Sequence, residues 1–478
     1  MKYLILLSAA LFGLKATAQS QKPAPAAYAV IKGHIKNHTE DMWDYSETTY
    51  LDFKTLSVPV DKNGDFIKRL KIDEKYRSIF FRDGQGLVVN IQKNDTITVD
   101  FDNHDIYNTI TIHAAQADRD KELQTFTALR KFENNLSDEL HDIFGKDLAD
   151  SAKFTKLNRL YNKEIEILLA SGLKDNYIDR ATDIYFHYAR YLLMLRLLPT
   201  YDLFIEHPKE ITKNIALLKD RRAYTVENDE WYRNNAEYRD FVFDYLRFFT
   251  PFNSSIVSNG KYAPSSYGFS ECYNALSSLR TLEMRDWFIT KTIMFNFQYV
   301  PFNESTTVYK EFSGKVLTPQ YADTLKQFFI NIQRLKPGVP APGFTLKDDN
   351  GKQISLAQLK GKVVYIDFWG VGCGPCVYDI KNEVPGLHEK YKDKNIVFVN
   401  VCVDSNESTW KENLKKLNLT GVNLIAEGWT KNPMCQNYNV NGIPHYFLID
   451  TEGKIVDNNS PHPGDKQMLY SKIDKLLK

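Results

Sequence analysis

The chain has 478 residues, long enough for about three domains and a sizeable core. With 61 basic and 60 acidic side chains its formal charge is +1, a balance that argues against nucleic acid as a partner. Five cysteines in so long a chain do not make a disulfide scaffold.

Residues 1–18 read as an export signal: Lys2, an apolar core from Tyr3 to Leu14, then Ala16-Thr17-Ala18 with small residues where a signal peptidase reads. The apolar core is too short for a permanent membrane anchor, and no cysteine follows it to carry a lipid. The expectation is a mature chain from Gln19, exported and periplasmic, with residues 19–27 as an alanine- and proline-rich tether. From Tyr28 to about Ala115, short β-branched runs alternate with turns, including Lys62-Asn63-Gly64-Asp65. That pattern predicts an antiparallel β-sandwich over 28–115. His34, His38, Asp100, Asp102 and His104 lie in it at spacings that fit no familiar metal site and read as solvated residues.

Residues 116–335 change to a helical period and predict an all-α region. One stripe runs through Ile184, Tyr188, Tyr191, Leu192, Leu195 and Leu198, and another through Tyr238, Phe241, Val242, Tyr245 and Phe249. The tyrosines and phenylalanines there read as core and helix contacts rather than as a ligand platform. The serine-rich stretch Asn253 to Ser270 reads as a mobile loop. Leu335 to Gly343, rich in proline and glycine, reads as a linker before a last domain, 336–478, in which strands alternate with helices around a mixed sheet.

Within that last domain an apolar run, Val363 to Phe368, ends at Cys373-Gly-Pro-Cys376, where a helix is expected to begin. At a helix N-terminus the free N–H groups and the macrodipole favour a thiolate, so Cys373 is expected to have a lowered pKa and to attack disulfides, with Cys376 resolving the product. A Cys-x-x-Cys can also be half of a zinc site, but no second pair of ligands follows, so no metal is expected. No cofactor is called for beyond a redox-active Cys373–Cys376 disulfide. Cys272, Cys402 and Cys435 read as buried, inert side chains, a Cys402–Cys435 bridge being the sharper alternative.

Residues 338–478 resemble the thioredoxin-like domains of exported TlpA-like or ResA-like thiol-disulfide oxidoreductases. The resemblance rests on Ala341-Pro-Gly-Phe-Thr-Leu346, Leu359-Lys-Gly-Lys362, Asp367-Phe-Trp369, Cys373-Gly-Pro-Cys376, Gly442-Ile-Pro-His445 and Phe447-Leu-Ile-Asp450. It implies that Pro444 is a cis-proline facing the cysteines and that Ile443 offers backbone hydrogen bonds to an extended substrate. It implies further that Asp367 is a buried proton acceptor and that Asp379 stands where the family usually has a glutamate, the alternative for Asp379 being a solvated first-turn acid favoured by the helix dipole. Trp369 and His445 within these motifs, and Gly372 just before the cysteine pair, are expected to contact substrate. Residues 28–115 look, more weakly, like the small β-domain that often precedes such domains. The family usually has Trp where this chain has Gly372, which leaves that surface bare, and Pro385 falls where it should kink the active-site helix.

A peroxidase reading is weak, because Gly370 stands where a peroxidase would have its threonine. Gly-Pro between the cysteines and Ile before the proline are thioredoxin-like choices and imply a reductant. Its expected partners are disulfide-containing envelope proteins and a membrane thiol electron donor. The competing class is a non-catalytic envelope binding or redox-sensing protein that keeps the last domain as a docking module.

Overall fold

The computed structural model of the chain describes residues 28–38, 41–48, 50–51, 53–72, 76–81, 87–134, 136, 139–140, 143, 150–174, 176–194, 227–248 and 268–478. Residues 1–27, expected to hold an export signal and a tether, the side chains of Leu192, Leu195, Leu198 and Phe249, and residues 253–267 of the serine-rich stretch lie outside the described residues.

Eight strands form two four-stranded sheets near the N-terminus: β1 (Tyr28–Lys36), β2 (Met42–Thr48), β3 (Phe53–Pro59), β4 (Asp65–Lys71), β5 (Tyr76–Phe81), β6 (Leu87–Gln92), β7 (Thr96–Asp102) and β8 (Thr111–Ala114). Their orders are β4-β1-β7-β8 and β3-β2-β5-β6. Ile31, Ile97 and Val99 from the first and Trp43, Tyr45, Ile79 and Val89 from the second share one apolar cluster. β1 pairs with β7 in parallel, Val30 beside Thr96, so the region is not the wholly antiparallel arrangement expected from the sequence. Alternation marks a half-buried strand, but its period of two is the same whichever way the neighbour runs.

Among the described residues from 117 to 335 the regular elements are helices. The chief ones are α1 (Ala117–Asn134), α2 (Asp150–Ser171), α3 (Tyr177–Met194), α4 (Asp229–Asn234), α5 (Ala236–Phe248), α6 (Phe269–Ser278), α7 (Leu282–Tyr299), α8 (Phe302–Phe312) and α9 (Pro319–Ile332). α7 is apolar around much of its circumference, burying Met284, Trp287, Phe288, Ile289, Ile293 and Phe297. A helix of that kind belongs in the middle of its neighbours, and α6, α8 and α9 pack around it. The tyrosines and phenylalanines of the two stripes are largely core: Ile184, Tyr188, Tyr238, Phe241 and Val242 are buried. Trp287 Nε1 donates to the carbonyl of Tyr50 at 2.5 Å, and the Tyr50 hydroxyl donates to the carbonyl of Arg233 at 3.1 Å, which ties the β-region to the helices.

The last region is a seven-stranded mixed sheet in the order β10-β9-β13-β12-β11-β14-β15. Its strands are β9 (Thr345–Asp348), β10 (Gln353–Ser355), β11 (Val363–Trp369), β12 (Ile396–Cys402), β13 (Val422–Ile425), β14 (His445–Ile449) and β15 (Ile455–Asp457). Helices α10 (Gly374–Asn382), α11 (Val384–Tyr391), α12 (Glu407–Leu417), α13 (Pro433–Asn437) and α14 (Lys466–Leu476) complete it. The strand β13 was not anticipated; Val422-Asn-Leu-Ile425 is too short for a period to declare itself. Every residue of β11 is buried, as expected of a strand with parallel β12 on one side, antiparallel β14 on the other and both faces covered.

Two sequence signals take a definite form here. The helix expected to kink at Pro385 is split at Glu383 into α10 and α11, because proline has no N–H to give and its ring collides with the carbonyl one turn back. The proline- and glycine-rich linker, by contrast, is fastened. The Gly338 amide donates to the Ile455 carbonyl at 2.7 Å, Ile455 donates to Val339 at 2.9 Å, and Ala341 donates to Gly453 at 2.9 Å. Prolines hold that segment extended, and it covers the outer edge of β15.

Candidate active site

Strand β11 delivers the chain to the site. Its side chains alternate: Val364, Ile366 and Phe368 join the large core shared with the helical region, whereas Tyr365, Asp367 and Trp369 point to the opposite face. The turn after Trp369 ends at Cys373, the N-cap of α10, and Pro375 occupies the first turn, where its missing N–H costs nothing. Cys373 and Cys376 form a disulfide, with their Cα atoms 5.3 Å apart, and the Cys376 amide donates to Cys373 Sγ at 3.2 Å. The two sulfurs differ in access: Cys373 is half-buried, whereas Cys376 is 1% exposed.

An acid that the sequence did not single out holds this turn. Asp404, just beyond β12, accepts the Val371 amide at 2.7 Å and the Gly372 amide at 3.0 Å. Gly370 makes the approach possible: a Cβ there would lie 2.3 Å from Asp404 Oδ2 and 2.6 Å from Ile443 Cδ1. Because the carboxylate is fixed by two amides, Gly370→Ala is expected to destabilise the last region by about 1–3 kcal/mol. Denaturant titration checks this; an unshifted midpoint would show that the turn slides aside at no cost.

The peptide bond between Ile443 and Pro444 is cis, in agreement with the resemblance. Ile443 packs in the same apolar cluster as Trp369, Cys373 and Cys376, which places this loop against the disulfide. Gly372, immediately before Cys373, is exposed. Trp369 and His445 do not meet the expectation of substrate contact. Trp369 is wholly buried beneath the turn, and His445 is buried on β14 beside Phe368, with its Nε2 3.0 Å from the Asn458 carbonyl. Both lie on inner strands covered on both faces. Burial holds the His445 imidazole neutral, its pKa pushed down to about 4.

Asp367 is 3% exposed, and among the described residues its Oδ1 has no hydrogen-bond partner. Burial above all, and then the charge of Asp379, push its pKa up to about 8. Asp379 is buried on α10, so it is not a solvated first-turn acid; Tyr446 donates to its Oδ2 at 2.9 Å. His462 Nδ1 lies 3.4 Å from the same oxygen, and the hydrogen bond to Asp379 raises the imidazole pKa. His462 is half-exposed and so links the buried acids with solvent; it stands 83 positions from Asp379, and no local motif marks it. Cys272, Cys402 and Cys435 are free and buried, as the composition suggested, and burial raises all three thiols, Cys435 to about 12. A Cys402–Cys435 bridge is absent.

A strand-delivered Cys-Gly-Pro-Cys pair at a helix N-cap, opposed by a cis-proline loop and underlain by a buried acid, defines a thioredoxin-like oxidoreductase. The family model described as Redoxin matches residues 336–473. The thiol-disulfide oxidoreductase ResA of Bacillus cereus is 36% identical over 133 residues, covering 27% of this chain and 73% of its own length. ResA of Bacillus subtilis is 35% identical over 131 residues, covering 27% and 69%. The crystal structure of the thioredoxin domain of a thiol-disulfide oxidoreductase from Bacteroides vulgatus is 29% identical, with a TM-score of 0.28, over 30% of this chain and 99% of that one. Through its C-terminal region this chain belongs to the ResA-like thiol-disulfide oxidoreductases.

Proposed function

We propose that this chain is an exported reductant of protein disulfides, working through a mixed disulfide on Cys373. The observation that carries the reading is the asymmetry of the pair: a half-buried sulfur at a helix N-cap in front of a fully buried one. The Cys373 thiolate attacks one substrate sulfur, the substrate disulfide breaks, and the released thiolate takes a proton from solvent. Asp367 then accepts the Cys376 proton, Cys376 attacks Cys373 Sγ, and the second substrate thiolate leaves. Two electrons pass to the substrate, and the Cys373–Cys376 disulfide remains to be reduced by a membrane thiol donor. Asp379, held by Tyr446 and His462, adds to the burial that raises the proton affinity of Asp367.

Ile443 and Pro444 form the docking edge. Among the described residues, no backbone partner takes the amide or carbonyl of Ile443, which leaves both for an extended chain. Export rests on the signal-like residues 1–18; no helix among the described residues is long and apolar enough to cross a membrane. The N-terminal sheets, read as a β-sandwich over 28–115, and the helical region 116–335 contribute no group to the exchange and act in the choice of partner.

The reducing direction follows from the Gly-Pro between the cysteines and is tested by equilibrating the full chain against glutathione buffers. A thioredoxin-like value near about −270 mV is expected, and a value above about −150 mV would make the chain an oxidant.

A further inference from the structure

The last turn of α7 brings the helical region against the start of the docking edge. A Cβ at Gly442 would lie 2.3 Å from Gln298 Nε2 and 2.5 Å from the Tyr299 hydroxyl, so these two side chains stand against the backbone just ahead of Ile443. They form a linked pair, Gln298 Nε2 donating to the Tyr299 hydroxyl at 3.1 Å. Tyr299 is 46% exposed, although it follows the buried Ile293 and Phe297 on one helix, and its ring packs on Phe295 at 4.4 Å. The platform behind it is packed: α7 buries Trp287, Phe288, Ile293 and Phe297, and the carbonyls of Gln436 and Asn437, a few residues before Gly442, accept the guanidinium of Arg334. An exposed aromatic ring with a hydroxyl and an amide beside it is thus fixed at the end of an edge whose own amide and carbonyl are free.

We propose that Gln298 and Tyr299 are specificity-determining residues that extend the Ile443 edge into a groove for an extended polypeptide carrying the disulfide. The inference rests on the exchange reading above. Such a contact touches only the chain flanking the target sulfurs. A small disulfide carries no flanking chain to meet such a contact, so the two substrate types should separate. Main-chain bonds to Ile443 supply affinity without regard to sequence, and a ring and an amide at the groove's end are suited to reading one or two flanking side chains.

The test is steady-state reduction by the full chain of two probes, insulin as a polypeptide disulfide and 5,5′-dithiobis(2-nitrobenzoate) as a small one. Wild type is compared with Gln298→Ala, Tyr299→Ala, the double variant and Tyr299→Phe. For the double variant, kcat/KM toward insulin is expected to fall about tenfold, mostly through KM, against less than about twofold for the small disulfide. Tyr299→Phe, which keeps the ring, should recover most of the loss. An equal fall on both probes would make the pair structural, and no change, or a gain toward insulin, would overturn the contact. If wild type reduces neither probe, the exchange reading itself fails; if it reduces both and the variants do not separate them, only this inference does.

Discussion

Cys376→Ala protein, mixed with an excess of oxidised protein substrate, should accumulate a covalent complex through Cys373 and turn over on the order of a thousandfold more slowly than wild type. The expectation follows from access. Cys373 is half-buried and open to an incoming disulfide, whereas Cys376, 1% exposed, lies bonded to Cys373 in the interior. With the resolving thiol gone, the mixed disulfide waits for an external thiol, and its lifetime lengthens accordingly. Cys373→Ala should give no complex, because the sulfur that remains is buried. Cys402 is the natural concern, since it lies in the same apolar cluster as Cys376. Burial raises its thiol well above the ordinary range, and it is hydrogen-bonded toward Asp404 at 3.7 Å. A Cys376→Ala, Cys402→Ser double variant should therefore trap as well as the single one. Non-reducing electrophoresis with mass spectrometry of the linked peptides reads the result. A complex formed by Cys373→Ala, or none formed by Cys376→Ala, would remove the attacking and resolving roles assigned here.

What the sequence disclosed about this site is what lies within a few residues of a motif. Val363 to Phe368, Cys373, Cys376 and Pro385 each announce themselves through a local constraint: a run of apolar residues, a helix start, a missing N–H. Pro444 needed the resemblance, since nothing local says which loop will face the cysteines. Asp404, Tyr446 and His462 stayed hidden because each reaches the site across the sheet or from the far end of the chain, and a lone acid, tyrosine or histidine has no period or spacing to declare it. Trp369 and His445 mislead in the opposite sense: membership of a motif suggests substrate contact, but the pleat turns their side chains into the core. In the N-terminal sheets the alternation disclosed strands but not partners, so the parallel β1–β7 pair appeared only with the fold. The strand β2 was missed because Met42-Trp-Asp-Tyr-Ser-Glu-Thr48 is largely polar outside Trp43 and Tyr45.

Asp367→Asn should stabilise the oxidised chain at pH 8 while slowing resolution, two effects of one buried charge. The folded state holds this carboxyl at a pKa of about 8, far above its ordinary value of 3.8. A raised folded pKa means that the folded state binds the proton more tightly than the unfolded one. The associated stability is therefore fully present below about pH 4 and is lost progressively as the pH rises to 8. Asparagine carries no charge and removes that loss, although an unpartnered buried amide offsets part of the gain. The net effect at pH 8 should be about 2–4 kcal/mol in favour of the variant, shrinking toward zero or reversing near pH 4. Hydrogen exchange of the β11 amides reports it, since those amides open only with the core of this region. In the reaction the same substitution deprives Cys376 of its proton acceptor, and resolution of a preformed mixed disulfide at pH 7 should slow by about 10–100-fold. The attack of Cys373 on substrate should change much less, since the part assigned to Asp367 is toward Cys376 alone. A stabilised variant with unaltered resolution would leave Asp367 a buried acid without a catalytic part. A variant whose stability keeps the wild-type dependence on pH would show that some other group, such as His462, carries the titration.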